Sequence, residues 1–405
     1  MKNAVIFNGG RGASSLIPAL LSVKDFKVSS IVNAYDDGKS TGQIRDFFGM
    51  LGPSDLRKVQ QLMVSEDNPD FNSINKIFDY RFPSEMSNAE IIDWIESECC
   101  NRENSFFKEK FESKDLLVNL RFFLRSFLES YRLIIKSMPS KNLNLVDGSL
   151  MNCLYAGAFI HFKRNIEDAA FAFETFLSLS GSVLPTNIEN KKLVGLRSDG
   201  TILFNEAEIV ELRSNVDIER VYVVDEYPQR DGFHHSSFEE KKHYFEMHQC
   251  FVEATPRVVQ AIQDADIIIY AAGTQHSSLY PTYLSSGIPA AITANTHALK
   301  VFITNIGADY ETPFYKAHDY VKGALKYLNL GNNKDHSLSS YFTHVLVNEN
   351  NSVTSNPNYV AIDEAALKYI DVNIIRDNFE DGSTGKHDGK NLVNLIQSLY
   401  SSYSK

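Results

Sequence analysis

The sequence predicts a doubly wound α/β fold on a mostly parallel sheet, and three observations carry that expectation. Short apolar runs rich in β-branched residues (Ala4–Phe7, Val28–Asn33, Val221–Val224, Ile267–Tyr270, Ala290–Thr293, Val301–Thr304 and His344–Val347) alternate with helical patterns. Runs that are apolar throughout suit strands covered on both faces by helices. The first run leads into a glycine loop and a helix, and the second into an aspartate-rich loop, at the carboxyl edge where such sheets bind ligands.

The first strand continues as Asn8-Gly9-Gly10-Arg11-Gly12-Ala13-Ser14-Ser15, followed by an apolar helix over Leu16–Val23. Glycines let the backbone turn sharply and approach a ligand closely. A helix N-terminus offers free N–H groups and partial positive charge to an anion. Pro18 is tolerated in the first turn if Ser15 caps the helix. Gly10 to Ser15 is nearly a dinucleotide fingerprint, but Ser15 stands at the third glycine position.

The second strand ends at Tyr35-Asp36-Asp37-Gly38-Lys39-Ser40-Thr41-Gly42-Gln43-Ile44-Arg45. Gly38-Lys39-Ser40 is not a Walker A loop, because its first glycine would fall at Asn33, inside the strand. The spacing also fails for an EF-hand. Two adjacent carboxylates on the crevice edge suit a hard cation such as Mg²⁺ bridging to phosphate, with Asp55 as a further carboxylate. One of these aspartates could instead hold a ribose hydroxyl, which keeps a NAD site open. Arg11, Arg45 and Arg57 are the best cationic partners for phosphate oxygens, although Arg45 and Arg57 could equally pair with Asp46, Asp55 or a helix end.

Two segments interrupt the α/β rhythm. Pro83–Lys141 reads as a helical insertion, with the only tryptophan, Trp94, and Phe and Leu at the spacing of core packing. Glu226–Gln249 is polar. Its His234, His235, His243 and His248 match no standard zinc spacing and read as a solvated surface or lid. The expected organisation is one domain over 1–330, interrupted by 83–141 and 226–249, with a strand and helix in 331–405 completing it.

The 405 residues suffice for one large or two ordinary domains, and 43% hydrophobic with 22% charged residues is ordinary for a globular protein. A net charge of −11 argues against nucleic acid or an anionic membrane as partner. The four cysteines form no C-x-x-C pair, which fits reduced thiols and a cytoplasmic location. The N-terminal apolar run is far too short for a signal peptide, and no stretch approaches the ~20 apolar residues of a membrane span.

Together these motifs resemble the CofD/YvcK family. The resemblance runs through Gly9–Leu21, Asp36–Arg45, Leu51–Arg57, Phe78–Phe82, Asp147–Asn152, Gly181–Thr186, Ala265–Thr282, Asn305, Asp309–Val321, His344–Asn348 and His387-Asp388. It implies a Rossmann-like nucleotide-binding fold and a homodimer. In transferase members it implies Mg²⁺-dependent transfer of a phospholactyl group from a guanosine-diphosphate-linked donor to a hydroxyl. YvcK-type members, which the aspartate loop resembles more, bind UDP-sugars and act in carbon metabolism and cell-wall regulation.

By that resemblance Gly9, Gly10, Gly12 and Ser14 would cradle phosphates, with Ser40 beside them. Asp37 and Asp55 would hold or orient the metal, with Asp36 as substitute or as the carboxylate nearest the acceptor. Gly273, Thr274 and His276 of the second loop would contact the nucleotide, although His276 could equally make a structural hydrogen bond. Asn152 matches a helix start and Asn305 a strand end. The chain departs from the pattern at Arg11 (a small residue), Lys39 (a glycine in YvcK-type loops), Lys58 (an asparagine) and Met151 (a glycine). Three functions are therefore expected in turn: a Mg²⁺-dependent transferase on a nucleoside-diphosphate-linked donor, a non-catalytic nucleotide-sugar-binding regulator, and, weakest, a NAD-dependent oxidoreductase.

Overall fold

The computed structural model describes residues 1–10, 12–33, 35–100, 106–107, 111–349 and 358–403. Among them, ten strands form two sheets. They are β1 (Lys2–Asn8), β2 (Phe26–Val32), β3 (Ser182–Pro185), β4 (Lys192–Arg197), β5 (Ile202–Leu203), β6 (Ile218–Val224), β7 (Ile267–Tyr270), β8 (Leu299–Ile303), β9 (His344–Asn348) and β10 (Asn373–Asp377). The large sheet has the order β10-β9-β8-β7-β1-β2-β3, with every pair parallel.

This is a Rossmann-like doubly wound arrangement. From central β1 the chain winds outward through β2 and β3, then returns and winds the other way through β7 to β10. The direction reverses between β1 and β7, whose residues Ala4 and Ile267 are paired. At such a switch point the two strand-end loops diverge and leave a crevice. The core strands are apolar on both faces because helices cover both, and β7, β8 and β9 are buried along their whole length.

Two apolar runs have other fates. Val221–Val224 lies in β6, which belongs to a separate antiparallel sheet of order β5-β4-β6. Val221 and Val223 pack into the main core, whereas Tyr222 and Val224 pack into a small second core with Phe245. Burial on both faces thus comes from sitting between two cores, which a run of apolar residues cannot distinguish from a parallel strand. Ala290–Thr293 is helical, within Ile288–Ala294. Ile288, Ala291 and Ile292 are buried there at helical spacing, after Gly287 at φ +93° and with Pro289 in the first turn. The edge strands β3 and β10 escape the pattern because they are short or half-exposed. Pro185 is tolerated in β3 because that strand lies at the edge.

Residues 83–141 contribute helices Asn88–Cys99 and Lys114–Ser137. The first begins with a Ser87/Glu90 capping box. The second buries Leu120, Phe123, Leu124 and Phe127 and crosses helix Leu150–His161 very closely. A Cβ on Gly157 would lie 1.8 Å from the Phe123 carbonyl oxygen. At the other end of the chain, helix Gly389–Tyr403 presses on the start of the first helix, where a Cβ on Gly389 would lie 2.0 Å from the Ser15 carbonyl oxygen.

Candidate functional site

A cleft of about 730 Å³ opens at the switch point. It is lined by Gly9, Gly10, Gly12, Asp36, Lys39, Ser40, Asp55, Arg57, Lys58, Arg81, Glu206, Gly273, Thr274, Ser278, Asn305 and Asp309, among others. A second hollow of about 540 Å³ shares Gly12, Gly273 and Asn305 with it and adds Ser14, Gly307, Lys386 and His387. Most of the anticipated glycine-loop and second-loop residues therefore meet at one place.

The two loops hold each other. A Cβ on Gly12 would fall 2.5 Å from the Ala272 carbonyl oxygen and 2.9 Å from Gly273 Cα, and one on Gly9 would fall 2.4 Å from Ser278 Cβ. These glycines permit loop-on-loop contact as much as ligand approach. Asn305 then locks the second loop: its Oδ1 accepts from Gly273 N at 3.0 Å, and its Nδ2 donates to Gly273 O at 3.1 Å. The helix after the glycine loop runs only over Leu16–Leu21, and its cap Ser15 donates its hydroxyl to the His387 carbonyl at 2.7 Å. Ser14 lines the second hollow only. Arg11 lies outside the described residues.

The aspartate loop splits its two carboxylates. Asp36 lines the cleft and accepts the Gly38 N–H at 3.0 Å. Asp37, anticipated as a metal ligand, does not line it. Its carboxylate accepts the Tyr227 hydroxyl and lies 3.6 Å from Arg45 Nη1. Arg45, anticipated on phosphate, is fully buried. It donates to the carbonyls of Tyr35 (2.8 Å), Asp36 (3.3 Å) and Lys191 (2.7 Å) and to Asn190 Oδ1 (3.0 Å). Five donors in a rigid fork suit it to hold a loop together from beneath. Lys39 has φ +42°, a left-handed conformation that disfavours side chains. It nevertheless presents its ammonium-bearing chain to the cleft.

Asp55 opens helix Ser54–Leu62 under the glycine loop, and a Cβ on Gly10 would fall 2.4 Å from its Oδ1. Lys58, one turn on, lies with its Nζ 2.9 Å from Asp55 Oδ1 and 3.6 Å from Asp36 Oδ2. Burial opposes the Lys58 charge, but Asp55 and Asp36 outweigh it and raise its pKa. Asp36 and Asp55 are thus already bridged by a cation. Among the described residues no group of three His, Cys, Asp or Glu side chains is disposed to hold a metal ion. The anticipated magnesium does not fit this donor set without moving Lys58.

Asn152 is buried and positions its neighbours. Its Oδ1 accepts from Arg57 Nε at 3.2 Å, and its Nδ2 donates to Ser40 Oγ at 3.4 Å. Glu206 was not foreseen. It starts helix Glu206–Glu211 and reaches the cleft, where its Oε2 accepts the Asp37 N–H at 3.0 Å. Burial, then the nearby Asp36 and Asp55, drive its pKa well above the usual carboxylate range. No local motif announces Glu206, because the small antiparallel sheet delivers it from far along the chain. Lys58, singled out in the sequence as a departure from the family pattern, lies three residues after Asp55 on the same helical face. No described residue of 83–141 or 226–249 lines the cleft, and Tyr227 is the latter segment's link to the aspartate loop.

His276 points away from the cleft into an aromatic cluster with Tyr280 and Tyr315. Glu311 occupies the turn that His276 begins, accepting the His276 N–H at 2.8 Å and the Ser277 N–H at 3.0 Å. Burial pushes the His276 imidazole from its ordinary 6.5 down to about 3. The unfolded chain takes up that proton first. The stabilising contribution is therefore complete above pH 6.5 and is lost as pH falls toward 3. His276→Phe should flatten this dependence by a few kcal/mol, roughly. Urea midpoints of both proteins from neutral to acid pH check it, and parallel curves would remove His276 from the account.

The fold and cleft define a Rossmann-like α/β protein with a charged crevice at its switch point. The chain belongs to the CofD family, described as 2-phospho-L-lactate transferase CofD, which it matches over residues 4–380. It is similar to the gluconeogenesis factor of Halalkalibacterium halodurans, 27% identical over 339 residues that span 82% of this chain and 75% of that one. It is also similar to the gluconeogenesis factor of Listeria monocytogenes, 24% identical over 319 residues, spanning 78% and 71%. A Bacillus halodurans protein of known crystal structure, described as a member of the UPF0052 family, shares the fold. Its TM-score is 0.65 at 22% identity, covering 98% of this chain and 99% of that one. Among the described residues no helix is long and apolar enough to cross a membrane.

Proposed function

We propose that this protein binds a nucleoside-diphosphate-linked ligand, such as a nucleotide-sugar, in the switch-point cleft, and that it acts as a YvcK-type regulatory binder. One observation carries the reading: two glycine loops meet over a cleft whose floor presents Arg57, Lys58, Arg81 and Lys39. Backbone loops of this kind take the phosphates, and the cations balance their charge. The names of the relatives support a regulatory role in carbon metabolism. Family resemblance favours a homodimer in the cytoplasm, which light scattering and fractionation would check.

Calorimetry with UDP, GDP, UDP-sugars and NAD tests the reading. A uridine or guanosine diphosphate derivative is expected to bind and NAD is not, and tight binding of NAD alone would overturn it. Arg57→Ala is expected to weaken binding roughly 10- to 100-fold through loss of a charge-assisted contact. Unchanged affinity would take Arg57 out of the site.

A second reading, a transferase of phosphorus-containing groups, is favoured by Glu206. A carboxyl with a raised pKa in the cleft suits proton transfer from an acceptor hydroxyl, while catalysis otherwise rests on positioning and charge. Release of nucleoside monophosphate in the presence of a hydroxyl acceptor, abolished by Glu206→Gln, would favour it over the regulatory reading.

A further inference from the structure

We propose that Lys58 is the resident cation of this cleft and gives the ligand's diphosphate the charge that a divalent ion would otherwise supply, so that binding is independent of metal. The inference rests on the nucleotide-binding reading above and deepens it. Lys58 Nζ sits between two aspartates that line the cleft, 2.9 Å from Asp55 and 3.6 Å from Asp36. The pair lies directly beneath the glycine loop. At Gly10 a Cβ would meet Asp55 Oδ1 at 2.4 Å and Lys58 Cδ at 3.0 Å, so this loop has room for the Asp55–Lys58 pair only because residue 10 has no side chain.

An ammonium group is a compact charge with three donors and no acceptor. Here it donates one hydrogen bond, to Asp55. Its remaining donors are available to phosphate oxygens laid along the loop. A divalent cation seated on the same carboxylates would have to displace this ammonium and would meet it as a like charge. A lysine between two carboxylates also offsets one of their charges without ligand, whereas a bare pair would repel each other fully.

The test uses the full chain, with variants Lys58→Gln and Lys58→Arg. UDP and GDP are titrated calorimetrically in EDTA and again in Mg²⁺. The wild-type affinity for whichever nucleotide binds is expected to agree within threefold between the two buffers. In EDTA, Lys58→Gln is expected to bind at least tenfold more weakly and Lys58→Arg to retain most of the affinity. Wild-type binding that needs Mg²⁺, or a Lys58→Gln protein that binds normally in EDTA, overturns the proposal.

Mn²⁺ is titrated separately into nucleotide-free protein and followed by the paramagnetic resonance of the free ion. Lys58→Gln is expected to take up Mn²⁺ at least tenfold more tightly than the wild type. Equal uptake, or none by either, overturns the assignment of Lys58 to the metal's place. If neither nucleotide binds under any condition, the nucleotide-binding reading fails, and the Mn²⁺ result still decides what Lys58 does to the carboxylates.

Discussion

Replacing Arg45 with methionine is expected to lower the unfolding free energy by about 3–5 kcal/mol, the range for removing one partner from a buried charged network. The side chain is 0% exposed, donates to three backbone carbonyls and the Asn190 side chain, and forms an ion pair with the Asp37 carboxylate at 3.6 Å. Methionine fills much of the space but donates nothing. The carbonyls of Tyr35, Asp36 and Lys191 would then be buried without a donor, and Asp37 without its cation. Arg45→Lys should recover only part of the loss, because a single ammonium cannot reach acceptors spread across a planar fork. Urea denaturation of the three proteins measures this. A loss below about 1 kcal/mol for Arg45→Met would mean that the loop holds its shape without Arg45. The same variant should bind ligand poorly, since Asp36 is carried by the backbone that Arg45 clamps.

The second large effect is expected at Gly12. Gly12→Ala places a Cβ 2.5 Å from the Ala272 carbonyl oxygen and 2.9 Å from Gly273 Cα. Both neighbours are backbone, so no side chain can swing aside. The two loops must separate by about an ångström, which would disturb the proposed phosphate cradle of N–H groups at fixed distances. Affinity for a nucleoside diphosphate should fall at least ~100-fold, while the thermal midpoint should drop only a few degrees, because the strands beneath remain paired. Calorimetry and a melting curve on the same sample separate the two readouts. Binding that survives within threefold would show that the loops do not form the cradle together.

These two residues mark different limits of the sequence. Gly12 was legible as a point of close approach, because a glycine between a buried strand and a helix announces one. What approaches Gly12 was not legible, because Ala272 and Gly273 are brought there by the pairing of β1 with β7. Arg45 was read equally as a phosphate partner and as the partner of a nearby carboxylate or helix end, because a cation beside an aspartate loop has no direction in one dimension. Helix Lys39–Phe48 turns it under the loop and buries it. Asp36 and Asp37 differ for the same reason. They are adjacent and chemically identical, yet one faces the cleft and the other faces Arg45 and Tyr227.

By itself the sequence determined the doubly wound parallel sheet, the strand–glycine-loop–helix at its start, the aspartate loop after the second strand and the membership of the CofD family. Those features are written in local patterns: apolar runs for strands buried on both faces, glycines where backbones approach, and motifs in a set order. Only the tertiary structure decided that Val221–Val224 belongs to a second sheet between two cores, that Ala290–Thr293 is a helix and that His276 is core. It alone set Lys58 between Asp36 and Asp55 and brought Glu206 to the same cleft. The physical reason is that burial and charge depend on which distant segment packs against a residue. Of the two aspartates read as metal ligands along the chain, Asp37 turns to Arg45 and Tyr227 once folded, and Asp55 is already paired with a lysine one helical turn away.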